Sequence, residues 1–321
     1  MMPGHIARMG QQQRVGRSFL SAFGGGGGAM AQRNFWRGAG ALAVHGRVVS
    51  SANALNFSGI DRTAKSHSTE CNAASNPAIN STTATTQKAG EVEFYSGGAN
   101  YASLNKNNGG EDSYFVTYLS GEDRTLRTSM ADSAAEADES LKASGFCMMG
   151  VADGVGGWAD IGVDAGLYSR QLMHLSSVNS ETQNPANPNP KQVLYEAVQD
   201  TTAKGSATVC IVALTTKGEG ASLRAANLGD SGFIVVREKQ VMFKSPVQQH
   251  SFNFPYQVSS LPKYSDNPMT AETFSYDVMP GDTIVLGTDG LFDNLYPEEV
   301  ASIVYQVSAP PPPPPPSPIL G

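Results

Sequence analysis

Three short apolar runs in this chain each end on an aspartate flanked by glycine. Phe146-Cys-Met-Met-Gly-Val-Ala runs into Asp153-Gly154, Leu223-Arg-Ala-Ala-Asn-Leu-Gly into Asp230-Ser-Gly232, and Thr283-Ile-Val-Leu-Gly-Thr into Asp289-Gly290. Runs of this length and composition read as buried strands, and a glycine beside each aspartate lets the backbone turn. Three such strand ends can meet at one edge of a sheet. The carboxylates gathered there repel one another unless a cation lies among them. A single Asp-Gly after a strand is an ordinary hairpin turn. Three in one chain, with the pair Glu111-Asp112 ahead of a further strand, argue for a shared site. Ligands that are all oxygen favour Mg2+ or Mn2+ over Zn2+.

Composition narrows the function classes. The net charge of -7 is uneven, because residues 1–60 carry six arginines and no acid. The acidic remainder disfavours nucleic-acid binding. There is no unbroken apolar stretch of the roughly 18 residues a membrane-spanning helix needs. The Arg-, Ser-, Ala- and Gly-rich segment 1–60 has the composition of an organellar transit peptide, chloroplast or mitochondrial. If it is instead a plain tail, the expected location is cytoplasmic. Residues 61–91 are Ser/Thr/Asn-rich and aperiodic, the composition of a disordered linker. Of the three cysteines, Cys147 and Cys210 lie inside strand-like runs and read as small core residues. None begins a Cys-x5-Arg loop, so a cysteine-nucleophile phosphatase is disfavoured.

Between these tails the pattern is mixed. Tyr114–Leu119 predicts a strand, residues 121–140 a polar exposed loop, and Phe146–Asp153 the next strand. Ala165, Tyr168, Leu172 and Leu175 share one helix face. Asn189 and Pro190 are suited to N-cap and N1 of a second helix, with Val193, Leu194, Ala197, Val198 and Thr201 on its inner face. Strands are expected near 207–214, 221–228, 232–237, 241–244 and 282–286, then a helix from Glu298 with Pro297 at N1. Seven prolines, Pro310–Pro316, follow. Such a tail is polyproline II or disordered, and reads more simply as solvated chain than as a ligand for an SH3- or WW-type domain. Strands outnumber helices, which points to an α+β domain with antiparallel sheets.

Taken together, five motifs resemble those of the metal-dependent type 2C protein phosphatases. They are Gly109-Gly-Glu-Asp-Ser-Tyr-Phe115, Gly150-Val-Ala-Asp-Gly-Val-Gly-Gly-Trp158, Lys204-Gly-Ser-Ala-Thr208, Asn227-Leu-Gly-Asp-Ser-Gly-Phe233 and Gly287-Thr-Asp-Gly-Leu-Phe-Asp-Asn294. The wording Asp-Gly-Val-Gly-Gly-Trp and the block Ser245–Phe254 resemble the organellar and plant subgroup. The resemblance implies a phosphatase-like domain over 92–308: a sandwich of two antiparallel β-sheets flanked by helix pairs, a four-layer αββα arrangement. It implies hydrolysis of phosphoserine and phosphothreonine in protein substrates by a water activated between two Mg2+ or Mn2+ ions. Carried over by motif, Asp153 bridges the two metals, Glu111 and the Gly154 carbonyl hold one, and Asp289 holds the other. Asp230 and Asp293, with Asp289, match a weaker third site. Gly205-Ser206 belong to the sheet that supports the cleft.

Two departures from the family pattern bear on activity. Many members carry a histidine after Asp-Gly, read as the general acid, where this chain has Val155. His250 stands in a motif, but its ordinary reading is a hydrogen-bonded loop histidine. Family members also continue to a final metal-binding aspartate on a core strand, and nothing after Asp293 here is aspartate. The expectation is a domain missing its C-terminal elements, with one interior strand absent and residues 309–321 as a Pro-rich tail. That motivates a second reading, a pseudophosphatase that binds phosphoproteins or competes with an intact relative.

Overall fold

The near-continuous apolar runs of this sequence form strands covered on both faces. The computed structural model describes residues 41–50, 92–101, 110–120, 126–130 and 141–308. The expected linker 61–91, the Pro-rich tail 309–321, and residues 1–40 and 51–60 of the Arg-rich segment lie outside the described residues. In chain order the strands are β1 (Ala41–Ser50), β2 (Val92–Tyr101), β3 (Asp112–Ser120), β4 (Leu126–Met130), β5 (Leu141–Gly154), β6 (Ser206–Lys217), β7 (Gly220–Leu228), β8 (Gly232–Arg237), β9 (Gln240–Lys244), β10 (Gln249–Ser251), β11 (Phe254–Pro255), β12 (Val258–Ser259), β13 (Glu272–Val278) and β14 (Thr283–Gly287). The helices are α1 (Ala165–Glu181), α2 (Pro190–Asp200), the single turn α3 (Asp289–Phe292) and α4 (Pro297–Ser308).

Every strand pairing among the described residues is antiparallel. One layer runs β13-β7-β6-β5, with β3 and β4 beyond β5; the other runs β2-β1-β14-β8-β9. The expected sandwich is present, with a refinement. The two layers are hydrogen-bonded into one sheet, because the first residues of β5 pair with β2 while its later residues pair with β3 and β6. Side chains alternate faces along a strand. Met149 of β5 and Val212 of β6 therefore meet Phe233 of β8 and Leu286 of β14 in the central core. Their neighbours Met148 and Ile211 point the other way, onto Tyr168 and Leu172 of α1 and Leu194 of α2. On the far side Ile234 and Val285 pack against Val300 and Val304 of α4. Four layers result, and burial of each large side chain contributes about 1.5–3 kcal/mol.

The helices begin where their capping residues allow. Asp164 caps α1 by accepting the Gly166 N–H at 2.9 Å, and Asn189 caps α2 by accepting that of Gln192 at 3.2 Å. The expected inner faces are buried, apart from Leu175 and Val198, which are partly covered, and Thr201, which is the C-cap of α2. Several features differ from the sequence reading. Within the stretch expected to be a loop, Leu126–Met130 pairs with β3. Ala41–Ser50, inside the segment read as a leader, is a strand whose register runs Ala43↔Gly287 on one side and Ala43↔Ala99 on the other. It lies between β2 and β14, so no open slot separates those two strands. Finally, β13 was not anticipated, although Phe274 and Tyr276 alternate toward the core.

Candidate metal centre

The register of β3 against β5 sets the geometry of the site. Asp112 faces Asp153 directly across the pair, and Asp153 in turn faces Thr208 of β6. Asp230 sits in the short step between β7 and β8, and Asp289 opens α3 where β14 ends. Asp293 is the residue after α3 and is exposed. Asp112 is buried at 5% exposure, whereas Asp153, Asp230, Asp289 and Glu111 are half-buried. The three strand-end aspartates thus come together, with Asp112 as an added member. Sequence reasoning noted Asp112 only as half of an acidic pair. The signal that singles it out is its place as the first residue of the strand, where register sets it opposite Asp153.

The electrostatics show how close these groups are. Burial raises the Asp153 carboxyl well above the usual carboxylate range, and the charges of Asp112, Asp289 and Asp230 raise it further. The Asp289 carboxyl acts in the same direction by its closeness as well as its charge. Asp230 is pushed up to about 7 by burial first, then by Asp289 and Asp293, against the lowering effect of its own and the Ser231 backbone N–H. Such mutual elevation marks a site built for positive charge. The donor set is entirely oxygen, which fits a hard divalent cation. Among the described residues, no group of three or more His, Cys, Asp or Glu side chains stands as a ready-formed cage. The cluster has the charge and chemistry for a cation without a closed arrangement.

The loop after Asp153 is built by close backbone approach. The Gly154 N–H donates to the Glu111 carbonyl at 3.0 Å, and the Val155 N–H to the Ser206 carbonyl at 2.9 Å. A Cβ on Gly154 would stand 2.7 Å from the Ala165 carbonyl oxygen and 2.9 Å from that of Glu111, so no side chain fits. The Trp158 indole N–H donates to Ser206 Oγ at 2.7 Å, and Thr208 and Ser231 share a hydroxyl hydrogen bond at 2.7 Å. Gly205-Ser206 therefore lie at the sheet edge that supports the loop. The Glu111 carboxylate lies beside Gly156.

His250 is held by Asp266 at 2.8 Å and stacks on Tyr256 with ring centroids 4.0 Å apart. It is hydrogen-bonded as expected, but on the short strand β10 rather than in a loop. Cys147 and Cys210 are fully buried in the central core. Burial pushes the Cys147 thiol up to about 12 and that of Cys210 higher still, so neither is a nucleophile. No helix among the described residues is long and apolar enough to cross a membrane.

The family described as Protein phosphatase 2C matches residues 135–311. The probable protein phosphatase 2C 55 of Arabidopsis thaliana is 54% identical over 157 residues, which are 49% of this chain and 32% of that protein. The protein phosphatase PTC7 homolog fig of Drosophila erecta is 41% identical over 164 residues, 48% of this chain and 51% of the relative. Among solved structures, the photosystem II phosphatase PBCP is 35% identical, with 63% of this chain and 67% of that one covered and a TM-score of 0.49. The chain spans about a third to a half of the length of these curated relatives. With more than half of its residues matched by the family description, the chain belongs to the protein phosphatase 2C family.

Proposed function

We propose that this chain is a metal-dependent protein serine/threonine phosphatase that hydrolyses phosphoserine and phosphothreonine in protein substrates. The observation that carries the reading is the meeting of Asp112, Asp153, Asp230 and Asp289 at one end of the sandwich, where their mutual repulsion calls for cations. Asp153 would bridge two Mg2+ or Mn2+ ions, with Glu111 and the Gly154 carbonyl holding one and Asp289 the other. Asp230 and Asp293, together with Asp289, would hold a weaker third. Such ions, when bound, supply an activated water and neutralise phosphoryl oxygens. The chain's own part is to hold the carboxylates together at strand ends, where bound cations would keep them ionised. Its tight Gly154 turn closes the floor of the site against Ala165 and Glu111. No residue is needed as a covalent nucleophile, consistent with two deeply buried, inert thiols.

The test is Mn2+-dependent hydrolysis of a phosphopeptide by the purified chain, with Asp153→Ala as control. Turnover that requires Mn2+ and is lost in the variant supports the reading; turnover no greater than the variant's overturns it. The pseudophosphatase reading has its own support, in Val155 at the position after Asp-Gly. It predicts phosphopeptide binding that survives removal of divalent ions. An organellar location is the reading we favour for the acid-free Arg-rich stretch ahead of β1, residues 1–40, because Ala41–Ser50 pair within the sheet. Fused to a fluorescent reporter, that segment should direct it to an organelle, and a diffuse cytosolic signal would remove the proposal.

A further inference from the structure

Glu111 precedes the first strand residue of β3, and its carbonyl is held from the end of β5 by the Gly154 N–H at 3.0 Å. The N-terminal half of α1 holds the same stretch from the other side. Arg170 Nη1 donates to the Gly110 carbonyl at 3.3 Å, and Ser169 Oγ donates to the Glu111 carbonyl. The second Arg170 nitrogen meets Asp164 at 3.4 Å, and Asp164 is the N-cap that starts the helix. Ser169 is fully buried, while the Arg170 and Asp164 side chains are about one quarter exposed, at 23% and 27%. The assembly is packed to the backbone: a Cβ on Gly166 would stand 2.7 Å from Arg170 Nη1 and 3.0 Å from Asp164 Oδ1. Two consecutive helix residues therefore grip the two carbonyls that lead into Asp112. A repelling carboxylate cluster splays unless its backbone is fixed, and this grip fixes one side of it.

We infer that Arg170, with Ser169 beneath it, is a positioning residue that sets Glu111 and Asp112 for divalent-cation binding; the inference rests on the metal-centre reading above. Groups that orient metal ligands from behind typically change affinity by roughly 10–100-fold when removed. The experiment is calorimetric titration of Mn2+ into the EDTA-stripped full chain, alongside urea unfolding of the metal-free protein. Arg170→Gln should bind Mn2+ at least about 10-fold more weakly, at an unchanged metal-free urea midpoint. Arg170→Lys, which keeps a cation within reach of one carbonyl, should recover part of the loss. Lys217→Gln, which breaks an exposed pair with Asp277, should leave both readings unchanged. Wild-type affinity in Arg170→Gln overturns the inference alone. A loss of affinity that merely tracks the metal-free midpoint across the Gln and Lys variants makes Arg170 structural and overturns it too. Failure of the wild-type chain to bind Mn2+ overturns the metal-centre reading, and this inference with it.

Discussion

Replacing Asp230 with asparagine should make the metal-free protein more stable at neutral pH while weakening its hold on divalent cations. Asp230 loses its proton at about 7 in the folded chain, against an ordinary value of 3.8. Between those values the folded state binds more protons than the unfolded state. Stability therefore falls as pH rises from about 4 to about 7, and the loss is complete above that. Each pH unit in that interval is worth about 1.4 kcal/mol, so the full penalty approaches about 4 kcal/mol. Asp230 is half-buried, and solvent screening brings a realistic figure nearer about 2 kcal/mol. For a domain of this size that corresponds to roughly 4–8 °C in melting temperature. The asparagine side chain keeps an oxygen for the backbone N–H groups that Asp230 accepts from, and removes only the charge. The assay is thermal unfolding in EDTA at pH 4 and pH 8, repeated with Mn2+. Asp230→Asn should match wild type at pH 4, exceed it at pH 8, and gain less from Mn2+. A variant that melts at or below wild type at pH 8 in EDTA would refute the repulsion argument.

One further substitution tests the backbone at the site, and a second the turn at the far end of β14. Gly154→Ala must displace backbone atoms of Ala165 and Glu111; it should cost about 1–3 kcal/mol in urea unfolding and lower Mn2+ affinity in the same sample. Asp282 is fully buried, accepts from Arg237 at 2.7 and 2.8 Å and from the Met279 N–H at 2.9 Å, and anchors the turn into β14. Arg237 is one-third exposed and can turn to water, so Asp282→Ala should cost about 3 kcal/mol, the low end for a broken buried pair. Chemical denaturation reads it directly.

The parts of the fold that were legible in the sequence are those with a dense local signal. The α1 face of Ala165, Tyr168 and Leu172 and the Asn189-Pro190 start of α2 are fixed by neighbours three or four residues away, and they formed as expected. The run Val209–Leu214 is apolar throughout because it is sandwiched between the central core and the helices, and a doubly covered strand needs no alternation. What stayed hidden depends on partners distant in sequence. The strand β1 is glycine-interrupted and set in Arg-rich surroundings, and only its pairing with β2 and β14 makes it a strand. Leu126–Met130 owes its conformation to β3 in the same way. At the site, the sequence pointed to Asp153, Asp230 and Asp289, but which of Glu111 and Asp112 faces Asp153 is a matter of register. The roles of Ser169 and Arg170 were equally hidden, since nothing in a helix sequence says which carbonyl its polar side chains will meet.

The placement of the carboxylates ties the charge of the site to the whole fold. Asp112 and Asp153 belong to the layer of β3, β5, β6 and β7, while Asp289 and Asp293 follow β14 in the opposite layer. Asp230 lies where the chain crosses from β7 to β8, that is, from one layer to the other. Repulsion within the cluster therefore acts across the sandwich. It works against the central core that Met149 and Val212 share with Phe233 and Leu286. A cation held by these carboxylates would relieve the repulsion between the two layers, so its binding energy would add to the stability of the domain as a unit rather than to one loop. This is why Asp230, at the crossing, is the position where substitution should move folding stability and cation affinity in opposite directions.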